Sequence, residues 1–511
     1  TDIHKQLNFR LSLKEVFSMP TIRGLSEYLL TQEKDNYIPI EPAVVKEYYE
    51  LSSAQKRMYV AQQLEVESTG YNMCTTVVLR GELHGEMLEK TFRDLIQRHE
   101  SLRTSFIMLK KEPVQVVHEE VEFKIEYYNL PTDLSNVFTG GPGGRFFQKE
   151  SPWKPEAIIK NFIRPFDLSK APLLRVGVVK LEQEKHLLMI DTHHIVSDVI
   201  SHGIFIRDFA ALYCGENLPP LTIRYVDFSE WQNRWLNSPQ MKKQEDYWSG
   251  VFQPPAPGLK LPTDFPRPET RSNEEGDSLQ LYLAEELTAG LNRTARENGT
   301  TLFMVLLAIF NILLSKYGKT GDIVVGTPVT GRRHPDLENV IGVFINMIVL
   351  RNYPGKIKTF REFLGEVKHN TIAAFENQDY PFDRLVNRLG IPRETGRNPL
   401  FDHEFSMNVL EVETVEIPGL KIDPYQNETR FAKYDLHLLA QEEDPVIRMV
   451  LRYSTALYKR PTVEKILQYY VEIAEQVAAN AEISIGEIKI SHTFVITASS
   501  FSNEKESDFM L

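Results

Sequence analysis

The sequence predicts an α/β (α+β) fold built as two successive regions, and three observations carry that expectation. Short apolar runs of strand character alternate with helix-period stretches in both halves of the chain. At 511 residues the chain exceeds what one hydrophobic core ordinarily spans, which predicts about two or three domains. A Pro-rich polar stretch over 252–275 carries neither period and marks a crossover between the halves.

In chain order, residues 1–30 hold two short helical patterns. The second opens at Pro20-Thr21 and has Ile22, Leu25, Leu29 and Leu30 as its apolar positions, too little surface to fold alone. Residues 33–50 are charged and Pro-containing, as a linker should be. Past Leu51, residues 75–79 read as a strand, and Leu88, Phe92, Leu95, Ile96 and His99 form one stripe of the helix after it. The glycines within 137–157 lack the preceding strand and following Lys-Ser/Thr of a phosphate cradle, so that segment is expected to be a loop.

Residues 176–181 and 186–191 read as two strands around the polar turn Glu182-Gln183-Glu184-Lys185. Beyond them Val199, Ile200, Ile204, Phe205, Phe209 and Leu212 recur at helical spacing, with Ser197 or Asp198 as N-cap. In the second region a strand is expected over 278–283, a buried helix over 301–317, a strand over 323–325, and helices near 358–377 and 461–479. The tail from about Ser491 is acidic and aperiodic. The opening residues, Thr1-Asp2-Ile3, carry no Met and no signal peptide, as expected of a segment of something longer.

Bulk chemistry narrows the function. A formal charge of −12 disfavours nucleic acid as a partner, because a contact face for phosphates needs an excess of Lys and Arg. The longest apolar stretch, 302–314, is too short to cross a bilayer, so no membrane partner is expected. Only Cys74 and Cys214 occur, which excludes a disulfide framework and a thiolate metal cluster and points to a reducing cytoplasm. The thirteen histidines show no HExxH spacing, and no metal is expected.

The segment that carries chemistry is His193-His194-Ile195-Val196-Ser197-Asp198, between an apolar strand and an amphipathic helix. Imidazole titrates nearest working pH and is the usual proton carrier. Strand alternation puts His194 on the face of Leu188, Ile190 and Thr192, and His193 on the face of Asp191, so only one imidazole can reach a given substrate. A pair of purely structural histidines is the alternative that the local sequence leaves open.

Six further segments accompany it in order: Ser53-Ala54-Gln55-Lys56-Arg57-Met58-Tyr59 and Arg98-His99-Glu100-Ser101-Leu102-Arg103-Thr104 before it, then Tyr225-Val226-Asp227-Phe228-Ser229-Glu230-Trp231, Ile341-Gly342-Val343-Phe344-Ile345-Asn346, Asn377-Gln378-Asp379-Tyr380-Pro381-Phe382-Asp383 and Arg397-Asn398-Pro399-Leu400-Phe401. Each is weak alone. Together, over roughly residues 51–402, they resemble the motifs of the condensation domain of bacterial nonribosomal peptide synthetases, the His segment matching the motif written HHxxxDG. Residues 7–30 resemble the last two helices of a peptidyl carrier domain.

The resemblance implies two lobes like chloramphenicol acetyltransferase, set as a V around a central tunnel. On that pattern residues 1–32 are the carrier end, 33–50 a linker, 51–218 the N-terminal lobe, 219–488 the C-terminal lobe and 489–511 a tail. The implied reaction joins a donor peptidyl thioester to the α-amine of an acceptor aminoacyl thioester, in synthesis of an antibiotic-type peptide. Both substrates ride on 4'-phosphopantetheine carried by partner carrier domains, and neighbouring adenylation domains complete the partners; the serine that bears that arm is not in this segment.

His194 is the residue implied at the reaction centre, as general base or as an orienting and stabilising group. His193 and Asp198 belong to the same catalytic motif and are read as structural first, with Arg98 or Arg103 as the expected ion-pair partner of Asp198. Trp231, Gly342 and Asn346 are candidate tunnel-lining residues, core packing being the alternative for each. One departure from the pattern matters: Val199 stands where the family has glycine, and valine tolerates neither φ > 0 nor close backbone approach as well. It keeps a second reading open, a docking platform that binds carriers without joining their cargo. A CoA-dependent acyltransferase is a third. The retained double histidine argues against the cyclising branch, and Val199-Ile200-Ser201-His202-Gly203 against the epimerising one.

Overall fold

The computed structural model describes residues 2–9, 11–32, 34, 39–129, 155–269, 276–391, 396–408, 417–425 and 432–491. The chain opens with three short helices rather than the expected two: α1 (Asp2–Leu7), α2 (Leu13–Ser18) and α3 (Ile22–Leu30). Ser12 and Glu15 cap α2 reciprocally, each side chain bonded to the other's backbone N–H, so this one-and-a-half-turn helix is held at its start.

The first half runs through β1 (Tyr49–Glu50), α4 (Ser53–Leu64), β2 (Asn72–Arg80), α5 (Gly85–Arg98), β3 (Thr104–Leu109), β4 (Glu112–Val117) and β5 (Glu126–Asn129). After α6 (Pro155–Phe162) comes the hairpin β6 (Leu174–Glu182) and β7 (Lys185–His193), then α7 (Val199–Tyr213), α8 (Tyr225–Trp235) and α9 (Pro239–Val251). The hairpin is longer at both ends than its sequence pattern, because pairing with β2 continues the ladder to Asn72↔His193. The segment expected as a loop, 137–157, lies outside the described residues except for its last three, which open α6.

The second half contains β8 (Gly276–Leu283), α10 (Glu285–Glu297), α11 (Leu302–Gly318), β9 (Ile323–Val329), β10 (Asn346–Asn352), α12 (Phe360–Glu376) and α13 (Phe382–Leu389). It ends with β11 (His403–Asn408), β12 (Lys421–Pro424), β13 (Leu436–Glu443), β14 (Val446–Ser454) and α14 (Arg460–Ala479). α11 is apolar all round because it is buried all round: every residue from Met304 to Leu314 is buried. Among the described residues no single helix is long and apolar enough to cross a membrane. The expected aperiodic tail lies beyond the described residues from 492 onward.

Two larger sheets organise two cores. The first, ordered β12-β2-β7-β6-β5, is covered by α5 and α7, whose Phe92, Leu95, Ile204 and Phe205 pack on Val176, Val178 and Leu188. The second, ordered β10-β9-β11-β13-β14-β8, buries the apolar surface of α11, α12 and α14. A third, small sheet is ordered β1-β4-β3.

The lobes exchange chain. β12 pairs antiparallel with β2 (Lys421↔Arg80 to Pro424↔Val77), and Ile341, Ile417 and Leu420 pack in the core of the first lobe. The 219–488 segment is therefore not confined to one lobe; β12 pairs with the Val77–Arg80 end of β2, which lies opposite the start of β7 (Leu188–Lys185) and away from its end at His193.

Candidate active site between the lobes

β7 ends at His193, and His194–Val196 form a single 3-10 turn before Asp198 caps α7. The two imidazoles diverge there. His193 is fully buried against Tyr71 and Phe166, with ring centroids at 6.1 and 6.0 Å. Its Nδ1 accepts the Ile195 N–H at 3.1 Å and its Nε2 donates to Gln62 Oε1 at 3.3 Å, which uses both nitrogens. Burial above all pushes its pKa down to about 3. It stays neutral and shapes the turn.

His194 is half-buried and borders a cavity of about 90 Å³ between the lobes. Its Nδ1 lies 2.7 Å from the carbonyl oxygen of Ser197. A carbonyl only accepts, so Nδ1 carries the proton and Nε2 presents a lone pair. Burial, followed by the Lys433 ammonium, holds this imidazole below its ordinary pKa. It is thus a neutral hydrogen-bond acceptor of fixed tautomer. Arg57, Tyr71 and Asn72 border the same cavity from the first lobe, and Glu404, Lys433 and Tyr434 from the second.

Asp198 is not paired with Arg98 or Arg103. Its Oδ1 accepts from the Ser201 N–H at 2.7 Å and from Arg332 at 3.2 Å, and its Oδ2 from the Phe344 N–H at 3.0 Å. Arg332 also donates to Ser201 Oγ and to the carbonyls of Leu337 and Val340, and lies 4.0 Å over the Phe344 ring. The expected partners are occupied elsewhere. Arg98 donates to Asp208 at 2.9 Å, which also meets His99 at 3.0 Å, and Arg103 donates to the His118 carbonyl. The reason is distance along α7: Asp208 lies ten residues beyond Asp198, about 15 Å at helical rise, and it is that end of the helix that faces α5. The start of α7 faces residues 332–344 instead.

Val199 occupies the first turn of α7 with an ordinary helical backbone and is not among the residues of positive φ. The local conformation therefore does not call for glycine. Its side chain, with Asp198 and Ile200, borders a second, larger cavity of about 630 Å³, walled by Phe303, Val329 and Phe375 and closed at one side by Leu13 and Phe17 of α2. Pro328 and Ile345 border both cavities, so the histidine turn sits where the two spaces adjoin.

The other three candidates divide. Gly342 is buried, its N–H and carbonyl both bonded to Ser201 Oγ, and an added Cβ would lie 1.9 Å from the Tyr225 ring. It is a packing glycine and lines neither cavity. Asn346 is spent on structure, donating to the carbonyls of Gln378 and Tyr380 and accepting the Phe382 N–H, so it ties the fifth motif to the sixth. Trp231 stacks on Trp235 at 5.5 Å and borders, with Asn346, a small crevice of about 50 Å³. The residues that sequence reasoning missed are Arg332 and Glu404. Nothing local marks Glu404 in the sequence, since the segment His403–Asn408 carries polar residues at four of its six positions and does not read as a buried strand.

A two-lobed α/β protein with a tautomer-locked histidine at the lobe junction defines the class, and the comparisons agree. Residues 45–495 match the condensation domain family, and the chain belongs to that family. It is 43% identical over 490 residues to gramicidin S synthase 2 of Brevibacillus brevis, a match covering 96% of this chain and 10% of that protein. It is 42% identical over 488 residues to tyrocidine synthase 3 of Brevibacillus parabrevis, covering 96% of this chain and 7% of the relative. The chain thus spans about a tenth or less of these two relatives and no more than about a fifth of others it matches, such as bacitracin synthase 2 of Bacillus licheniformis at 18%. Among solved structures, the X-domain from teicoplanin biosynthesis shares the fold, with a TM-score of 0.79 at 23% identity over 89% of this chain and 100% of that one.

Proposed function

We propose that this domain forms an amide bond between a donor peptidyl or aminoacyl thioester and the α-amine of an acceptor aminoacyl thioester. Both arrive on phosphopantetheine arms of separate carrier domains, within a cytoplasmic multidomain synthetase whose adenylation domains load those carriers. The observation that carries the reading is the His194 ring bordering the cavity between the lobes, its tautomer fixed by Ser197 so that Nε2 carries the lone pair. A thioester is already activated, so positioning supplies most of the acceleration. His194 Nε2 accepts a hydrogen bond from the attacking amine and takes its proton as the tetrahedral state collapses; the departing thiolate then receives that proton.

His193 and Asp198 act through geometry: the first shapes the turn, the second ties it to the opposite lobe through Arg332. Nothing in the geometry favours the docking platform, because Val199 sits without backbone strain. The test is to mix the domain with loaded donor and acceptor carriers and weigh the transferred peptide. Wild type is expected to move the donor onto the acceptor, and His194→Ala to lower the rate by about a hundredfold or more. Carrier binding without product overturns the assignment.

A further inference from the structure

The cavity beside His194 has a second proton-handling wall. Glu404 lies in β11, at the middle of the second sheet, and is only 5% exposed. Its carboxylate meets His437 Nε2 at 3.3 Å, and the same nitrogen meets Ser406 Oγ at 2.7 Å. Tyr434 hydrogen-bonds to it, and Lys433 and Arg452 act on it through space. A carboxylate is costly to bury, and burial lifts its pKa to about 7. His437 is held neutral by burial and by Arg452 and Lys433, so it cannot serve as a permanent counter-ion. Glu404, His437 and His194 border one space, with Arg57 and Tyr71 opposite.

We propose that Glu404 receives the acceptor's α-ammonium and takes its proton, delivering a free amine to the carbonyl beside His194. This rests on the amide-forming reading. The proton balance is as follows. The ammonium gives one proton to the Glu404 carboxylate, and the neutral amine attacks the donor carbonyl carbon. The C–N bond forms and the C–S bond breaks, while the second N–H proton passes through His194 to the thiolate. Glu404 returns its proton to solvent with the next turnover. The two groups thereby divide the work, a carboxylate titrating near neutrality for the ammonium and a neutral imidazole for the attack.

The test is single-turnover dipeptide formation with saturating loaded carriers, followed as a function of pH, in wild type, Glu404→Gln and Glu404→Asp. In wild type the rate falls as pH drops through about 7, because the ionised carboxylate is the working form. Glu404→Gln is expected to be slower by about tenfold or more and to lose that limb, keeping only the titration of the acceptor amine itself. Glu404→Asp is expected to be slower than wild type and to keep the limb. An α-hydroxyacyl acceptor, which brings no ammonium, should feel Glu404→Gln far less. A Gln variant with the wild-type pH profile, whatever its rate, makes the residue merely structural and overturns the inference. If that variant does not fold, an Asp variant with the wild-type rate overturns it equally. Wild type without product sinks the amide-forming reading and this inference with it.

Discussion

Truncating Asp198 measures the tie between the histidine turn and the opposite lobe. Asp198→Ala removes the acceptor that caps α7, leaves the Phe344 N–H without its partner, and strips a counter-ion from Arg332. Both side chains of that pair are nearly inaccessible, 4% exposed for the aspartate and 6% for the arginine. Loss of a cap costs about 1 kcal/mol, an orphaned buried N–H about 1–3, and a buried pair broken from one side about 3–5. The same carboxylate makes all these contacts, so the losses overlap and the whole is about 3–5 kcal/mol. Asp198→Asn, which keeps an acceptor for the cap, should recover part of it.

The decisive measurement is a double-mutant cycle by denaturant unfolding with Asp198→Ala, Arg332→Ala and the double variant. A coupling of about 1–3 kcal/mol is expected for groups in direct contact. The same cycle with Arg98→Ala should be additive within about 0.5 kcal/mol, since Arg98 is engaged with Asp208. Additivity between Asp198 and Arg332, or coupling between Asp198 and Arg98, refutes the assignment of the tie.

Two other outcomes follow from the same geometry. Gly342→Ala should cost about 1–3 kcal/mol by overpacking against Tyr225, whose hydroxyl is anchored to Ser52 and to the Val343 carbonyl; Tyr225→Leu should restore part of it, and an unchanged melting temperature would disprove the close approach. His193 binds its proton far more weakly when folded, at about 3 against an ordinary 6.5, so its contribution is full above 6.5 and drains as pH falls toward 3. Stability in that window should drop by about 1.4 kcal/mol per pH unit from this residue, and His193→Gln should flatten the slope; an equal slope in both proteins contradicts the burial argument.

Much of the fold was legible because its signals are local. The β6–β7 hairpin announced itself as two apolar runs around Glu182-Gln183-Glu184-Lys185, and α11 as an apolar run with Thr300 or Thr301 as its cap, of which Thr301 takes the place. The strand period also has the two histidines point apart, but β7 ends at His193, and the direction of His194 is set by the 3-10 turn that follows, which the period does not encode. The tie of Asp198 was not legible. Arg98, Arg103 and Arg332 are chemically equivalent candidates in a sequence, and only the packing of α7 on α5 decides that Asp208 takes the first of them. Gly342 stands as a tunnel candidate because it follows the polar stretch 326–339, with core packing as the alternative, and the close approach of the Tyr225 ring is what the tertiary structure adds.

The order of residues by itself determined many of the strands and helices, a helix cap at Ser197 or Asp198, and that neighbouring imidazoles on a strand point apart, since each depends on neighbours a few positions apart. The tertiary structure alone decided that β12 crosses to the first lobe and that Arg332 meets Asp198. It alone brought Glu404 to the space beside His194. Those pairings join residues more than a hundred positions apart, and they are chosen by which buried surfaces and charges can be satisfied together, a condition no local period encodes.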